Sequence, residues 1–198
     1  MGKWFPAIYD AAMKPLERNR FRIIRDELIS KTHGSVLEVG SGSGVNFSHY
    51  KYVSRVDAIE PNPEMVKRSE KYSSKSNVPI QIHQAKAESL PFQDNTFDSV
   101  VATLVFCTIP DPVLALKEIK RVSKPGATVL FFEHVKMEQK FLGKVQEVFT
   151  PLWSKLCDGC HLNRDTLERI QHSGMKITRV DSYYRGLFLK IEATINKA

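Results

Sequence analysis

No stretch of this 198-residue chain offers the roughly 18–20 consecutive apolar residues that a membrane-spanning helix needs. The longest candidate, Val100 to Pro110, contains Thr103, Cys107 and Thr108, and reads as a buried strand with its following loop. The amino terminus, Met1 to Pro6, lacks the apolar core of a signal peptide. Cysteine is scarce and odd in number, at three, which argues against a disulfide framework and for a reducing compartment, the cytoplasm. Cys157-Asp158-Gly159-Cys160-His161 has no partner cluster to complete the four ligands of structural zinc, and Cys107 stands on another element, so no metal is expected. Internal repeats, low-complexity tracts and domain linkers are also missing. Basic residues exceed acidic ones, 29 to 22, for a net charge of +7. They are dispersed from Lys14 through Arg25, Lys67 to Lys75 and Lys117 to Lys124, as on solvated helix faces, so no nucleic-acid partner is expected.

What remains is a chain with 42% apolar residues, enough for one domain with a sizeable core. Apolar runs of strand and helix period alternate, which predicts an α/β sheet with helices on both faces. Strands are expected at 35–39, 55–60, 80–83, 97–103 and 128–135, with a closing antiparallel pair at 176–183 and 188–196. Helices are expected at 45–50, 63–73, from an Asp111 cap through Val122, over 141–156 in broken form, and from an Asn163 cap to Gly174. Residues 4–30 read as helical in two pieces, with Trp4, Phe5, Ile8, Tyr9, Met13 and Leu16 on one apolar stripe.

The most informative stretch is Val36-Leu37-Glu38-Val39-Gly40-Ser41-Gly42-Ser43-Gly44. An apolar strand runs into three glycines at alternate positions, which let the backbone turn sharply and come close to a ligand. A second apolar run, Val56 to Ile59, ends in Glu60-Pro61-Asn62, and a carboxylate at that strand tip is where a ribose diol is held. The dinucleotide pattern would place its third glycine at Val45, whereas the glycine is Gly44. A pyrophosphate also disfavours a carboxylate such as Glu38 two residues before the loop. S-adenosylmethionine has no phosphate and carries a sulfonium and an ammonium, which favour one. The spacing therefore points to S-adenosylmethionine over a nicotinamide dinucleotide.

On these residues the sequence resembles the class I S-adenosylmethionine-dependent methyltransferases. The resemblance implies a Rossmann-like, seven-stranded, mostly parallel sheet with an antiparallel last strand, helices on both faces and an N-terminal helical cap. Residues 1–198 would form one domain, with the cap over 1–31 and the core over 34–198. Ala87-Glu88-Ser89-Leu90-Pro91-Phe92 is similar to the turn that reads the adenine edge in methyltransferases of the ubiquinone and menaquinone type, although Lys86 stands where that family has Asp. Thr103 and Leu104 match the residues that flank the methionine part of the cofactor. A narrower likeness runs through Phe131-Phe132-Glu133-His134-Val135, Phe149, Pro151, Trp153, Asp158-Gly159-Cys160, Leu162, Arg164 and Thr166. It resembles the membrane-associated thiol methyltransferases of animals and their soluble bacterial relatives. The implied cofactor set is Glu38, Gly40, Ser41, Gly42, Gly44, Glu60, Pro61, Asn62, Ala87, Glu88, Thr103 and Leu104, and the product is S-adenosylhomocysteine.

Methyl transfer from an activated sulfonium relies mainly on positioning and desolvation, so a strong base is not obligatory. Candidates at the pocket mouth are His134, Tyr9 and Asp158, followed by His49 and His161. The expected acceptor is a small hydrophobic or amphipathic molecule, a thiol, a phenol or quinone precursor, or a lipid. An apolar lid on a basic protein also suits transient contact with a membrane surface. A non-catalytic S-adenosylmethionine-binding protein and an RNA or protein methyltransferase stand as alternatives, and the oligomeric state is open.

Overall fold

In the computed structural model, which describes residues 20–156 and 159–197, successive residues of β1 (Ser35–Val39) feed two different cores. Val36 joins one, and Leu37 and Val39 join the other, so both faces of the strand are buried. Burial on both sides is the mark of a parallel strand covered by helices above and below. The same division recurs in β2 (Arg55–Ile59), β4 (Phe97–Thr103) and β5 (Ser123–His134), with β3 (Ile80–His83) outside β2. Together with β6 (Lys176–Tyr183) and β7 (Phe188–Thr194) they form a sheet ordered β3-β2-β1-β4-β5-β7-β6. β7 runs antiparallel to both β5 and β6, and the other pairings are parallel. Seven strands in this order are the Rossmann-like architecture that the sequence implied.

α1 (Arg22–Ile29) covers one face, where Phe21, Ile24, Leu28 and Ile29 bury against Val36, Val101, Leu130 and Phe132. Each such side chain contributes roughly 1.5–3 kcal/mol when fully removed from water. α1 is the end of the stretch read as a cap; residues 1–19 lie outside the described residues. α2 (Pro63–Ser73) begins on an Asn62 side chain that accepts from Glu64 N–H at 2.9 Å. α3 (Pro112–Val122) begins on Asp111, which accepts from Leu114 N–H at 3.0 Å, as its sequence suggested. α3 and α5 (Thr166–His172) cover the opposite face with Leu116, Ile119 and Ile170.

Beyond shifts of one or two residues at strand and helix ends, four features differ from expectation. The helix foreseen at 45–50 is a 3₁₀ turn, Phe47–His49, because Phe47 and Tyr50 must both turn inward and a period of three places them on one side. α5 is capped by Asp165, not Asn163: its carboxylate accepts from Glu168 N–H at 3.0 Å, in a cap-x-x-Glu spacing. β5 starts at Ser123 because a register shift opposite Phe97 and Ser99 takes up the Lys124-Pro125-Gly126 turn as a bulge, where a proline is tolerated. α4 (Lys140–Leu156) runs on through Pro151 without breaking.

Candidate active site

Parallel pairing brings the C-terminal ends of β1, β2, β4 and β5 to one edge, and strand order reverses between β1 and β4. Ligands of open α/β sheets bind in the crevice at such a reversal. The loop after β1 is fixed by its backbone: Gly40 and Ser41 N–H both donate to the Ile59 carbonyl, at 2.9 and 3.0 Å. Gly40 has φ +68°, and a Cβ there would lie 2.2 Å from Val105 Cγ2, so no larger residue fits without displacing β4's loop. Gly42 has φ +55°, and a Cβ there would meet nothing within 4 Å. One glycine is therefore pressed against the protein, and the other faces open space. Ser41 Oγ, buried in the same loop, has no hydrogen-bond partner among the described residues.

Glu60, at the tip of β2, accepts from Gly42 N–H at 3.0 Å with one oxygen and from Asn62 N–H at 2.9 Å with the other. The carboxylate thus joins the glycine loop to the start of α2. Glu38 lies deeper, 1% exposed, behind the loop. Its oxygens accept from Asn46 Nδ2 at 3.1 Å and from the Tyr50 hydroxyl at 2.8 Å. Burial pushes its pKa up to about 7, against the pull of those two donors and Arg25. Asn46 Nδ2 also donates to Thr103 Oγ1, and Arg25 donates to both Asn46 Oδ1 (2.8 Å) and Thr103 Oγ1 (2.7 Å). One buried network therefore links β1, β4, α1 and the turn after the glycines.

Arg25 corrects the sequence reading, which placed it among solvated charges; it is 3% exposed. The available signal was its position in the stripe of Phe21, Ile24 and Leu28. Leu104 follows Thr103 with φ +54°, a left-handed conformation costing roughly 1–3 kcal/mol for a non-glycine residue. Its N–H donates to the Phe132 carbonyl at 2.8 Å. Ala87 is buried after β3, and Glu88 beside it accepts from Asp111 N–H at 3.3 Å. Pro61 lies exposed between Glu60 and Asn62.

Across the reversal, the loop after β4 hangs on side chains from later in the chain. Glu133, fully buried in β5, accepts from Val105 and Phe106 N–H, both at 3.1 Å. Burial raises its pKa to about 8, with those amides pulling the other way. Arg164 donates to the Phe106 carbonyl at 2.6 Å and also to that of Ile109. His161 N–H donates to the Cys107 carbonyl at 2.9 Å, so the segment around Cys160 docks on this loop. The expectation that Cys107 stands apart is corrected: Cys160 lies within its electrostatic reach. Hydrogen bonding from Cys107, then from Trp153, and the charge of Arg164 hold the Cys160 thiol below its usual pKa against its burial, and Cys107 is raised correspondingly.

His134 ends β5 with its ring edge-on to Phe188 at 5.8 Å, and its Nδ1 is buried without a hydrogen-bond partner among the described residues. Burial lowers its pKa to about 4. Tyr9 and Asp158 lie outside the described residues. His49 bonds Asp26 at 2.6 Å, and His161 is engaged through its backbone. No cluster that could hold a metal exists among the described residues.

The open space at Gly42, the unpartnered Ser41 hydroxyl and the Glu60 carboxylate suit a ligand with a ribose and a cationic amino acid end. Comparison with known proteins agrees. Residues 37–131 match the family model described as a methyltransferase domain. The chain is 34% identical over 198 residues to the human thiol S-methyltransferase TMT1A, covering 91% of this chain and 80% of that protein. It is 32% identical over 144 residues to the phosphatidylethanolamine N-methyltransferase of Cereibacter sphaeroides, covering 71% of this chain and 70% of the other. A solved structure from Haloferax volcanii, a complex of the Trm112 methyltransferase activator with a methyltransferase partner, matches the whole chain with a TM-score of 0.74 at 18% identity, a likeness of fold.

Proposed function

The chain belongs to the class I S-adenosylmethionine-dependent methyltransferases, and from that premise we propose that its acceptor is a small apolar or amphipathic molecule, with a thiol first. The observation that carries this reading is His134. It is the leading sequence-selected base, and burial keeps it neutral and weakly basic. A thiol, with an ordinary pKa near 8.5, gives up its proton with little help, whereas a phenol or a carbon acid needs more. The thiol methyltransferase relatives support the same choice. The phosphatidylethanolamine N-methyltransferase relative favours a second acceptor, an amphipathic amine.

When bound, S-adenosylmethionine supplies a methyl group already activated on a sulfonium. The protein's part is to hold and to exclude water. We assign Glu60, with Pro61 and Asn62, to the ribose hydroxyls, and Gly40, Ser41, Gly42 and Gly44 to the methionine end. Ala87 and Glu88 take the adenine edge, and Thr103 and Leu104 flank the methionine from β4. Glu38 supports these groups through Asn46 and Thr103. Residues 1–31 would supply the cap, with Tyr9 and Asp158 closing the acceptor side. The free thiols of Cys107 and Cys160 favour a reducing compartment such as the cytoplasm.

A thermal melt with S-adenosylhomocysteine, followed by transfer of labelled methyl groups to a panel of apolar thiols, phenols and amines, tests this reading. Saturation at 1,000-fold over Kd stabilises the fold by roughly 4 kcal/mol. Labelling of thiols ahead of phenols and amines is expected. Stabilisation without labelling of any thiol would refute the acceptor while leaving the cofactor in place.

A further inference from the structure

The segment that follows α4 is pinned along the loop after β4, and the seam between them holds a pair of thiols that methyl transfer does not use. Gly159 N–H donates to the Ser154 carbonyl at 2.8 Å, and His161 N–H donates to the Cys107 carbonyl at 2.9 Å. Gly159, at φ +85°, runs so close that a Cβ there would stand 4.0 Å from the Thr108 carbonyl oxygen. Arg164 closes the seam. Its guanidinium donates to the carbonyls of Phe106 and Ile109, and its own carbonyl accepts from Lys136 N–H at 3.1 Å. Cys160 stands between Gly159 and His161, and its thiol lies within hydrogen-bond reach of the Cys107 thiol. The two sulfurs sit in different surroundings. Cys107 is 5% exposed, with its Sγ 3.8 Å from the Leu104 carbonyl. Cys160 is only half-buried.

We propose that Cys160 and Cys107 are a peroxide-responsive pair, in which Cys160 meets the oxidant and Cys107 resolves the product into a disulfide. Burial divides the labour. A hydroperoxide reaches the half-buried sulfur, whereas Cys107 reacts only with what has formed on Cys160. The thiolate is the nucleophile in such a step. Hydrogen bonding from Cys107, then from Trp153, and the charge of Arg164 favour that form at Cys160 against its burial. The Cys160 thiolate attacks one peroxide oxygen, so that the O–O bond breaks and an S–O bond forms. The departing hydroxide takes up the proton that Cys160 had released and leaves as water. The Cys107 sulfur then attacks the Cys160 sulfenic acid; an S–S bond forms, the S–O bond breaks, and the hydroxyl leaves with the Cys107 proton as a second water. One peroxide is reduced to two waters while two thiols are oxidised to one disulfide, and exchange with small thiols returns the pair to its reduced form. The disulfide fastens a seam otherwise held by hydrogen bonds. Its effect on turnover rests on the reading that this half of the cleft holds the acceptor, because a fastened seam no longer parts to admit a thiol.

Treatment of the reduced full chain with equimolar hydrogen peroxide, followed by capping with N-ethylmaleimide and non-reducing peptide mass mapping, tests the proposal without reference to turnover. Two thiols should vanish per peroxide, a linked peptide containing Cys107 and Cys160 should appear, and dithiothreitol should reverse both changes. Cys107→Ser should instead accumulate a Cys160 sulfenic acid that dimedone traps, and Cys160→Ser should leave Cys107 reduced; melting curves confirm that each variant folds, and the unaltered chain needs no variant. A link from Cys160 to Cys157, a link between chains, or undiminished oxidation of Cys107 in Cys160→Ser would overturn the proposal. So would survival of all three thiols in peroxide that consumes free cysteine. After the peroxide is removed, the linked protein should methylate thiols at about one tenth of the reduced rate. Its affinity for S-adenosylhomocysteine should stay within about twofold. Linkage with undiminished transfer would overturn the switch. A reduced chain that methylates no thiol would count against the acceptor reading alone, because the linked peptide decides the thiol pair by itself.

Discussion

The two halves of the cleft edge hold their loops by opposite means. After β1 and β2 the work is done within a short span, by glycines, backbone N–H groups and the one carboxylate of Glu60. After β4 and β5 it is done by side chains brought from far along the chain: Glu133 and Arg164 grip the loop from Leu104 to Ile109, and Gln146 grips the start of the next. A backbone-built loop presents one fixed shape, which suits an invariant cofactor. A loop hung on side chains can be re-cut by exchanging those side chains, which suits an acceptor that differs from one enzyme to the next.

The largest expected effect breaks the first half. Gly40→Ala forces a Cβ to 2.2 Å from Val105 Cγ2 and demands a left-handed alanine, costing together roughly 3 kcal/mol or more. Gly42→Ala meets open space and should cost only the conformational part, roughly 1–2 kcal/mol, while its methyl blocks the ligand. Melting curves with and without S-adenosylhomocysteine check both. Cofactor stabilisation should vanish in each variant, but only Gly40→Ala should lower the ligand-free melt steeply. Equal destabilisation would mean that the two glycines do not differ in what they face. Arg164→Ala strikes the second half and removes two charge-assisted bonds, for roughly 2–3 kcal/mol. Cofactor affinity should stay within about twofold if the halves are independent; a large loss would join them.

This contrast also explains what the chain disclosed before its fold was seen. β1, α2, β3, β4 and α3 fell on their expected residues because glycine, proline and cap residues act locally. Glu60 was legible for the same reason, since a carboxylate at a strand tip is a matter of spacing. The grip of Arg164 on Phe106, 58 positions away, leaves no local trace, nor does the approach of Cys160 to Cys107. The cap of α5 was misread although Asp165 and Glu168 carry the spacing, because Asn163 offered a competing cap two residues earlier. Arg25 looked solvated because charge outweighs periodicity when a residue is read alone.

A smaller effect separates the halves by pH. Glu133 and Glu38 have folded pKa values raised by burial to about 8 and about 7, so their contribution is complete below pH 4.5 and is lost as pH rises through those values. His134, lowered to about 4, works the other way: its contribution is complete above pH 6.5 and is lost as pH falls. The opposing slopes partly cancel between pH 4.5 and 6.5. Above pH 6.5 only the carboxylates act, and stability should fall toward pH 8. Glu133→Gln, which cannot ionise, should flatten that fall in urea titrations. A fall that persists unchanged in this variant would assign it to the cofactor half, through Glu38.

The smallest effect is on thiol reactivity, and it probes the acceptor half alone. Hydrogen bonding from Cys107 and Trp153 and the charge of Arg164 stabilise a Cys160 thiolate, while the Cys107 thiol is raised and buried. The thiolate is the reactive species, so iodoacetamide near neutral pH should modify Cys160 well before Cys107. Mass mapping of the alkylated peptides reads the order directly. In Arg164→Ala the advantage of Cys160 should shrink, because the loop loses both its cation and its anchor. Prior alkylation of Cys107 would mean that the segment around Cys160 does not rest on the β4 loop in solution, and the second half would then be held by Glu133 without its partner.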